Sequence, residues 1–304
     1  MAGAFALLRS LDTGRLRAVA LALRRDPPTP RPRETDPSLV DRVERPFDSV
    51  DDVFRRLRDL ERRLRDRDDR RAVFLTIYTR MTAAVRDAIA NGRFADPDWM
   101  RRYTVTFADY YRRAFLAFER GAYDAVPAPW RVAFSTALDG SALVAQDAFL
   151  GINAHINYDL ALALRDVGLS PNRDRKHEDH LRIDAVLAGL LDAQQEALAD
   201  LYAPGLSTVD ATLGRFDEAL SLFSITEGRA QAWRVAVVLA DVRLPPLRAA
   251  TRWLLHATAV GGAAFVRSPP VDPAVLSALG RVERDRGPLA GVLTDFAERL
   301  DAVG

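Results

Sequence analysis

Apolar residues recur three and four positions apart along almost the whole chain, the spacing that gathers them on one face of an α-helix. Val53, Leu57, Leu60 and Leu64 form the first such stripe, behind the cap signals Asp48 and Ser49. A second helix is predicted over about 70–90, stopping near Asn91-Gly92. Asp96-Pro97 offers an N-cap followed by proline at the first helical position. The helix it opens carries an aromatic stripe from Trp99 through Tyr103 and Phe107 to Phe118, a pattern expected of core. Pro127 and Pro129 open a long helix from Trp130 to Arg165, closed by a polar loop from Gly168 to about Arg175. Further helices are predicted at about 179–202, 207–221, 227–242, 246–261 and 273–302. There is no alternating segment long enough for a strand, no Gly-rich phosphate loop and no repeat period. The pattern predicts an all-α fold: a multi-helix bundle of eight or nine helices with a long buried central helix, in one domain over 46–304.

The first 45 residues break that pattern. Residues 1–24 read as an N-terminal amphipathic helix whose apolar run is interrupted by Arg9, Asp12, Arg15 and Arg17. It falls short of the ~20 apolar residues that a spanning helix needs. Packing on the domain or on a partner chain is expected of it, with peripheral contact at a membrane surface as the alternative. Residues 25–45 follow as a Pro/Arg-rich extended linker, since four prolines within 25–33 remove donors and fix φ. With no secretory signal and no transmembrane span, a cytoplasmic location is expected.

Charge and composition narrow the chemistry. The chain has 304 residues, with 43 basic against 42 acidic side chains and a net charge of +1. That balance argues against nucleic acid as a partner, which would call for a basic excess. The charge run from Arg55 to Arg71 is interleaved with Asp59, Glu61, Asp66, Asp68 and Asp69, so it reads as a solvated helix face. The absence of cysteine excludes disulfides, thiolate metal sites and a Cys nucleophile. Lys176 is the single lysine, in a charged stretch where a Schiff-base role is hard to arrange. Histidine chemistry must come from His155, His177, His180 and His256.

The helix from Trp130 to Arg165 holds the most informative polarity. It is apolar nearly all round, yet it carries Asp139, Gln146, Asp147, Asn153, His155, Asn157 and Asp159. At about 100° per residue, Asp139, Gln146, Asn153 and Asn157 share one narrow face, and His155 and Asp159 share another. Buried polar groups need partners, so these must join a structural hydrogen-bond network, hold water or face a ligand. His155-x-x-x-Asp159 offers an imidazole and a carboxylate one turn apart, a spacing that suits two metal ligands. The spacing recurs at His180-x-x-x-Asp184, with His177 one turn earlier.

The stretch Phe149-Leu-Gly-Ile-Asn-Ala-His-Ile-Asn-Tyr-Asp-Leu-Ala-Leu-Ala-Leu164 resembles the signature of DUF5995, a family of bacterial proteins of unknown function. Phe107-Ala-Asp-Tyr-Tyr111, Trp130-Arg-Val-Ala-Phe134, Asp179-His-Leu-Arg-Ile-Asp184 and Gly228-Arg-Ala-Gln-Ala-Trp233 accompany it in order. The likeness covers about 45–243. The chain departs from the family pattern at Asp184, where asparagine is expected. The resemblance implies a helical fold and brings no activity with it.

The first functional expectation is a metal-dependent enzyme, a hydrolase with a small-molecule substrate. A divalent metal, zinc first with iron or manganese as alternatives, would be held by His155, Asp159 and His180, completed by His177 or Asp184. Asp147 joins His155 and Asp159 as a catalytic candidate, and Asn153 and Asn157 would orient ligands. The alternative is a metal-free protein that binds, isomerises or cyclises an apolar ligand. Arg229 and Trp233, one turn apart, would then help the aromatic helix to line a cavity. A third reading is a non-catalytic structural or interaction protein docking through its N-terminal helix and Pro-rich arm.

Overall fold

Caps and breakers in the sequence set most of the helix ends in the computed structural model, which describes residues 13–24, 30–31, 33–206, 225–269 and 271–302. The Ser49 hydroxyl accepts from the amide of Asp52 and starts α3, Val50–Arg65, after the shorter helices α1, Thr13–Ala22, and α2, Pro37–Val43. Asp96 accepts from the amide of Trp99 ahead of Pro97, so α5, Pro97–Glu119, begins where the sequence places it, after α4, Ala72–Ala90. Beyond these lie α6, Ala128–Asp139; α7, residues 144–167; α8, Arg173–Leu206; α9, Ile225–Asp241; α10, Pro245–Arg267; α11, Pro273–Asp285; and α12, Leu289–Asp301. Among the described residues there are thus twelve helices and no strand. The all-α class holds, and the count of eight or nine is too low.

Three differences from the sequence reading account for the count, and each has a local cause. The helix expected from Trp130 to Arg165 is two, because Gly140 adopts φ +62° at the end of α6. The chain re-enters a helix after Leu143, whose amide is taken by the Gln146 side chain at 2.9 Å. The helix expected over 273–302 is also two, parted at Gly287-Pro288. Inside the expected linker, Asp36 caps α2 through the amide of Ser38 ahead of Pro37, and Leu39 and Val43 are buried. This is the same Asp-Pro signal that opens α5. The helix expected at 207–221 lies outside the described residues, as do residues 1–12.

Helix α7 is the axis of the bundle. Its first stretch, Val144–Ala154, is buried throughout, and α4, α5, α6, α9 and α10 pack around the whole helix. Such all-round burial is the expectation for a helix with apolar residues on every side. Helix α1 crosses α10 where Ala18 meets Gly261, while Leu16 and Leu23 stay exposed. The charge run on α3 is less solvated than its composition suggests. Glu61 is 2% exposed and Arg71 3%, because Glu61 bonds Arg80 and Thr79 of α4 at 2.5 and 2.8 Å and Arg71 pairs with Glu119.

The crossing of α4 and α7 depends on Gly151. A Cβ there would lie 2.3 Å from Cγ of Phe74, well inside contact distance. Gly151→Ala is therefore expected to destabilise the protein by about 1–3 kcal/mol, the range for overpacking a filled core. Urea denaturation would measure it. Combined with Phe74→Leu, the loss should be less than additive, since the two changes share one contact.

Candidate functional site

The π-helical turn His155–Asp159 interrupts α7 at the residues that carry the sequence signature. Such wide turns shift side chains relative to a regular helix and recur at functional sites. Here the turn places His155 and Asp159 inside the bundle, 1% and 0% exposed. The Asp159 carboxylate accepts from the Trp130 indole N–H at 2.7 Å and, through the same Oδ2, faces His155 Nδ1 at 3.1 Å. An ionised carboxylate can only accept, so with Asp159 as the anion the imidazole donates through Nδ1–H, which leaves Nε2 as a bare acceptor. Nε2 has no hydrogen-bond partner, and neither does Asp159 Oδ1. Burial pushes the His155 pKa down, so the ring is neutral, and pushes the Asp159 carboxyl up.

Aromatic rings hold this imidazole. Phe107 of α5 stacks on it with ring centroids 3.7 Å apart, and Tyr78 of α4 meets it edge-on at 4.5 Å. Phe74, Trp130 and Tyr111 close the shell at 5.8, 5.9 and 6.4 Å. On one side the shell is incomplete. An apolar cleft with about 70 Å³ of free space runs between α4, α5, α7 and α8, lined by Phe74, Tyr78, Phe107 and His155 together with Ile183 and Leu187.

The second His/Asp pair is elsewhere and differently used. His180 is wholly buried; its Nε2 donates to the main-chain carbonyl of Arg229 at 3.1 Å, and its Nδ1 accepts from the Tyr103 hydroxyl at 3.1 Å. Burial and the nearby Arg229 guanidinium drive its pKa well down, so this ring is neutral too. Asp184 is taken by Arg229 Nε at 2.6 Å. His177 stacks on Trp233 at 4.7 Å, and Trp233 also leans on His180 at 5.3 Å. His256 sits edge-on to Tyr158 at 6.1 Å on α10.

This arrangement overturns the metal site. No three of the His, Asp and Glu side chains among the described residues come together as a cation would require. The expected set of His155, Asp159, His180, His177 and Asp184 divides into two clusters. Trp130 takes Asp159 Oδ2 in the first, and Tyr103 and Arg229 take His180 and Asp184 in the second. The metal-dependent hydrolase reading falls with it.

The polar face of α7 resolves into a hydrogen-bond network. Asn153 donates to the carbonyl of Ala259 at 2.8 Å, Asn157 donates to Asn153 at 3.2 Å, and Gln146 donates to the carbonyl of Val266 at 2.7 Å. The bonds from Asn153 and Gln146 tie α7 to α10, which is the structural use of that face. Asp139 is not part of it: the break at Gly140 leaves it exposed, 4.0 Å from Arg31. Asp147 is paired with Arg70 at 2.6 Å, away from His155, and burial pushes its carboxyl up to about 7.

Sequence reasoning missed Phe74 and Tyr78, which sit one turn apart on the helix expected over about 70–90, where no residue was singled out. It also missed the indole of Trp130 as the donor that fixes Asp159. The aromatic spacing was visible, but nothing local shows which ring will face an imidazole from another helix.

No curated protein and no solved structure matches the chain. Residues 50–269 match a family model, and that span runs from α3 to the end of α10, past the 243 expected, so it contains every helix that lines the aromatic cleft. The chain belongs to DUF5995, a family of unknown function.

Proposed function

We propose that the protein binds a small, flat, largely apolar molecule that carries one hydrogen-bond donor, in the cleft beside His155. The observation that carries this reading is that His155 lines an aromatic cleft while its Nε2 has no hydrogen-bond partner. Four of the other polar lining groups are already engaged. Thr82 and Thr104 donate to carbonyls of their own helices, Tyr103 donates to His180, and Arg229 holds Asp184. One acceptor in an otherwise apolar wall gives such a site its orientation.

The size of the cleft limits the occupant. Its free space of about 70 Å³ is roughly half that of a dry cavity that holds benzene. A ring therefore enters edge-first, with the rest of the molecule at the mouth beside the half-buried Met81 and Thr104. Stacking against Phe107 and Tyr78 supplies the contact, and His155 selects for a hydroxyl or amine.

Two probes of similar shape test the reading. Wild-type protein should bind 2-naphthol more tightly than 2-methylnaphthalene by roughly 2–10-fold, the value of one net hydrogen bond. His155→Phe keeps an aromatic ring in place and should abolish that preference while still binding both. Binding of neither probe at millimolar concentration would overturn the proposal, as would a preference that survives His155→Phe.

A further inference from the structure

A second cleft, of about 560 Å³, opens at the N-terminal end of α7 between the Gly140–Leu143 loop, the end of α10, and α11 and α12. It shares no lining residue with the aromatic cleft. Its walls are polar, and four arginines line it: Arg70, Arg267, Arg281 and Arg284. Arginine is common in this chain, so its presence says little; its pairing says more. Many arginines elsewhere sit on carboxylates, as Arg42 does on Asp59, Arg80 on Glu61 and Arg173 on Asp241, while others, Arg93 and Arg102 among them, do not; what marks this cleft is three such unpaired arginines on one concave wall. Among the described residues, Arg267, Arg281 and Arg284 have no carboxylate within ion-pair distance.

The one carboxylate lining this cleft is Glu283. It accepts from the Tyr202 hydroxyl and from the amide of Val144 at 2.7 Å, and burial pushes its carboxyl up although Arg70 and Arg284 act against that. Arg70 is fixed by Asp147 and by the carbonyl of Ala142 at 2.7 Å, so it also braces the loop that forms one wall. The amides of Leu143, Val144 and Ala145 at the start of α7 are already bonded to Gln146, Glu283 and Tyr202. The helix end is therefore not what would hold a ligand here. Thr136 gives an independent sign. It lines the cleft, is 4% exposed, and its hydroxyl has no partner. A buried hydroxyl in a cleft that guanidinium groups line is short of an acceptor, and an oxyanion is the acceptor that suits both.

We propose that this cleft binds a diffusible small molecule bearing a phosphate group or a comparable multivalent oxyanion, held by Arg267, Arg281 and Arg284 and by the Thr136 hydroxyl. Its volume lies within the range of about 300–1,000 Å³ typical of small-molecule sites. A concave wall also suits a free ligand better than a flat lipid surface.

Inorganic pyrophosphate is the probe. Calorimetric titration of the full chain at low salt should show saturable binding. The Arg281→Ala/Arg284→Ala double variant should weaken it at least tenfold, because two charge-assisted contacts are lost. Both arginines are exposed, so the fold is expected to be intact, which circular dichroism checks. Thr136→Val should weaken binding severalfold and serves as the second variant. Arg93→Ala, an exposed arginine outside this cleft, should leave binding unchanged. The proposal is overturned if pyrophosphate does not bind, if Arg93→Ala weakens it as much as the double variant, or if only phosphatidylglycerol vesicles capture the protein.

Discussion

Replacing Glu119 with alanine is expected to cost the fold roughly 3–5 kcal/mol, the usual consequence of stripping one partner from a buried ion pair. Glu119 closes α5 with no exposed surface, and Arg71, just before α4, is 3% exposed. The two side chains are paired, Asp69 takes the same guanidinium at 2.6 Å, and the Phe115 ring lies 4.9 Å away. Burial alone would depress the Arg71 pKa; the carboxylates of Asp69 and Glu119 raise it instead, so the group is charged in the folded state. Without Glu119 that charge keeps one carboxylate in a place that water does not reach. At about 2–4 °C per kcal/mol for a large domain, calorimetry should show a melting temperature lower by roughly 6–20 °C. The Asp69→Asn/Arg71→Met/Glu119→Leu triple variant removes all three charges of the cluster, keeps an acceptor for the amide of residue 71, and should recover most of the loss. A single variant within about 1 kcal/mol of wild type, or a triple variant as unstable as the single, would contradict this account.

Neither residue could be picked out from the sequence. Arg71 ends a run of alternating charges and Glu119 ends an aromatic helix, and both look like solvated ends. Local charge pattern cannot show that two helix ends 48 residues apart meet inside the core. Signals that act within a few residues were legible: the Ser49 and Asp96 caps, the aromatic stripe of α5 and the burial of α7 all follow from local spacing. Gly140 and Gly287-Pro288 were equally local and carried the helix breaks that the apolar periodicity concealed. The His/Asp spacing was legible as well, but its meaning was not. One-turn spacing offers two ligands; whether a cation joins them depends on what other helices bring. Here they bring Trp130 to Asp159, and Tyr103 and Arg229 to His180.

The same dependence makes Asp159→Ala the second large effect. Its Oδ2 is the acceptor for both the Trp130 indole and the His155 imidazole, and all three residues are at most 1% exposed. Each buried donor left without a partner costs about 1–3 kcal/mol, so the variant should lose roughly 2–5 kcal/mol in chemical denaturation. Without the carboxylate the neutral imidazole is free to move its proton to Nε2, although in either tautomer one ring N–H joins the indole N–H as an orphaned donor. That shift has a reading in the ligand assay. With Asp159 present, the proton is held on Nδ1 and Nε2 accepts; without it, Nε2 becomes a donor, and the preference for 2-naphthol over 2-methylnaphthalene should shrink in whatever fraction remains folded. Asp159→Asn keeps a carbonyl acceptor in the same place and should cost about 1 kcal/mol or less while retaining the preference. If Asp159→Ala loses stability but keeps the full preference, the carboxylate is a packing element and does not set the tautomer. If Asp159→Asn is as damaging as Asp159→Ala, the negative charge matters more than the acceptor, and the neutral imidazole inferred from burial is wrong.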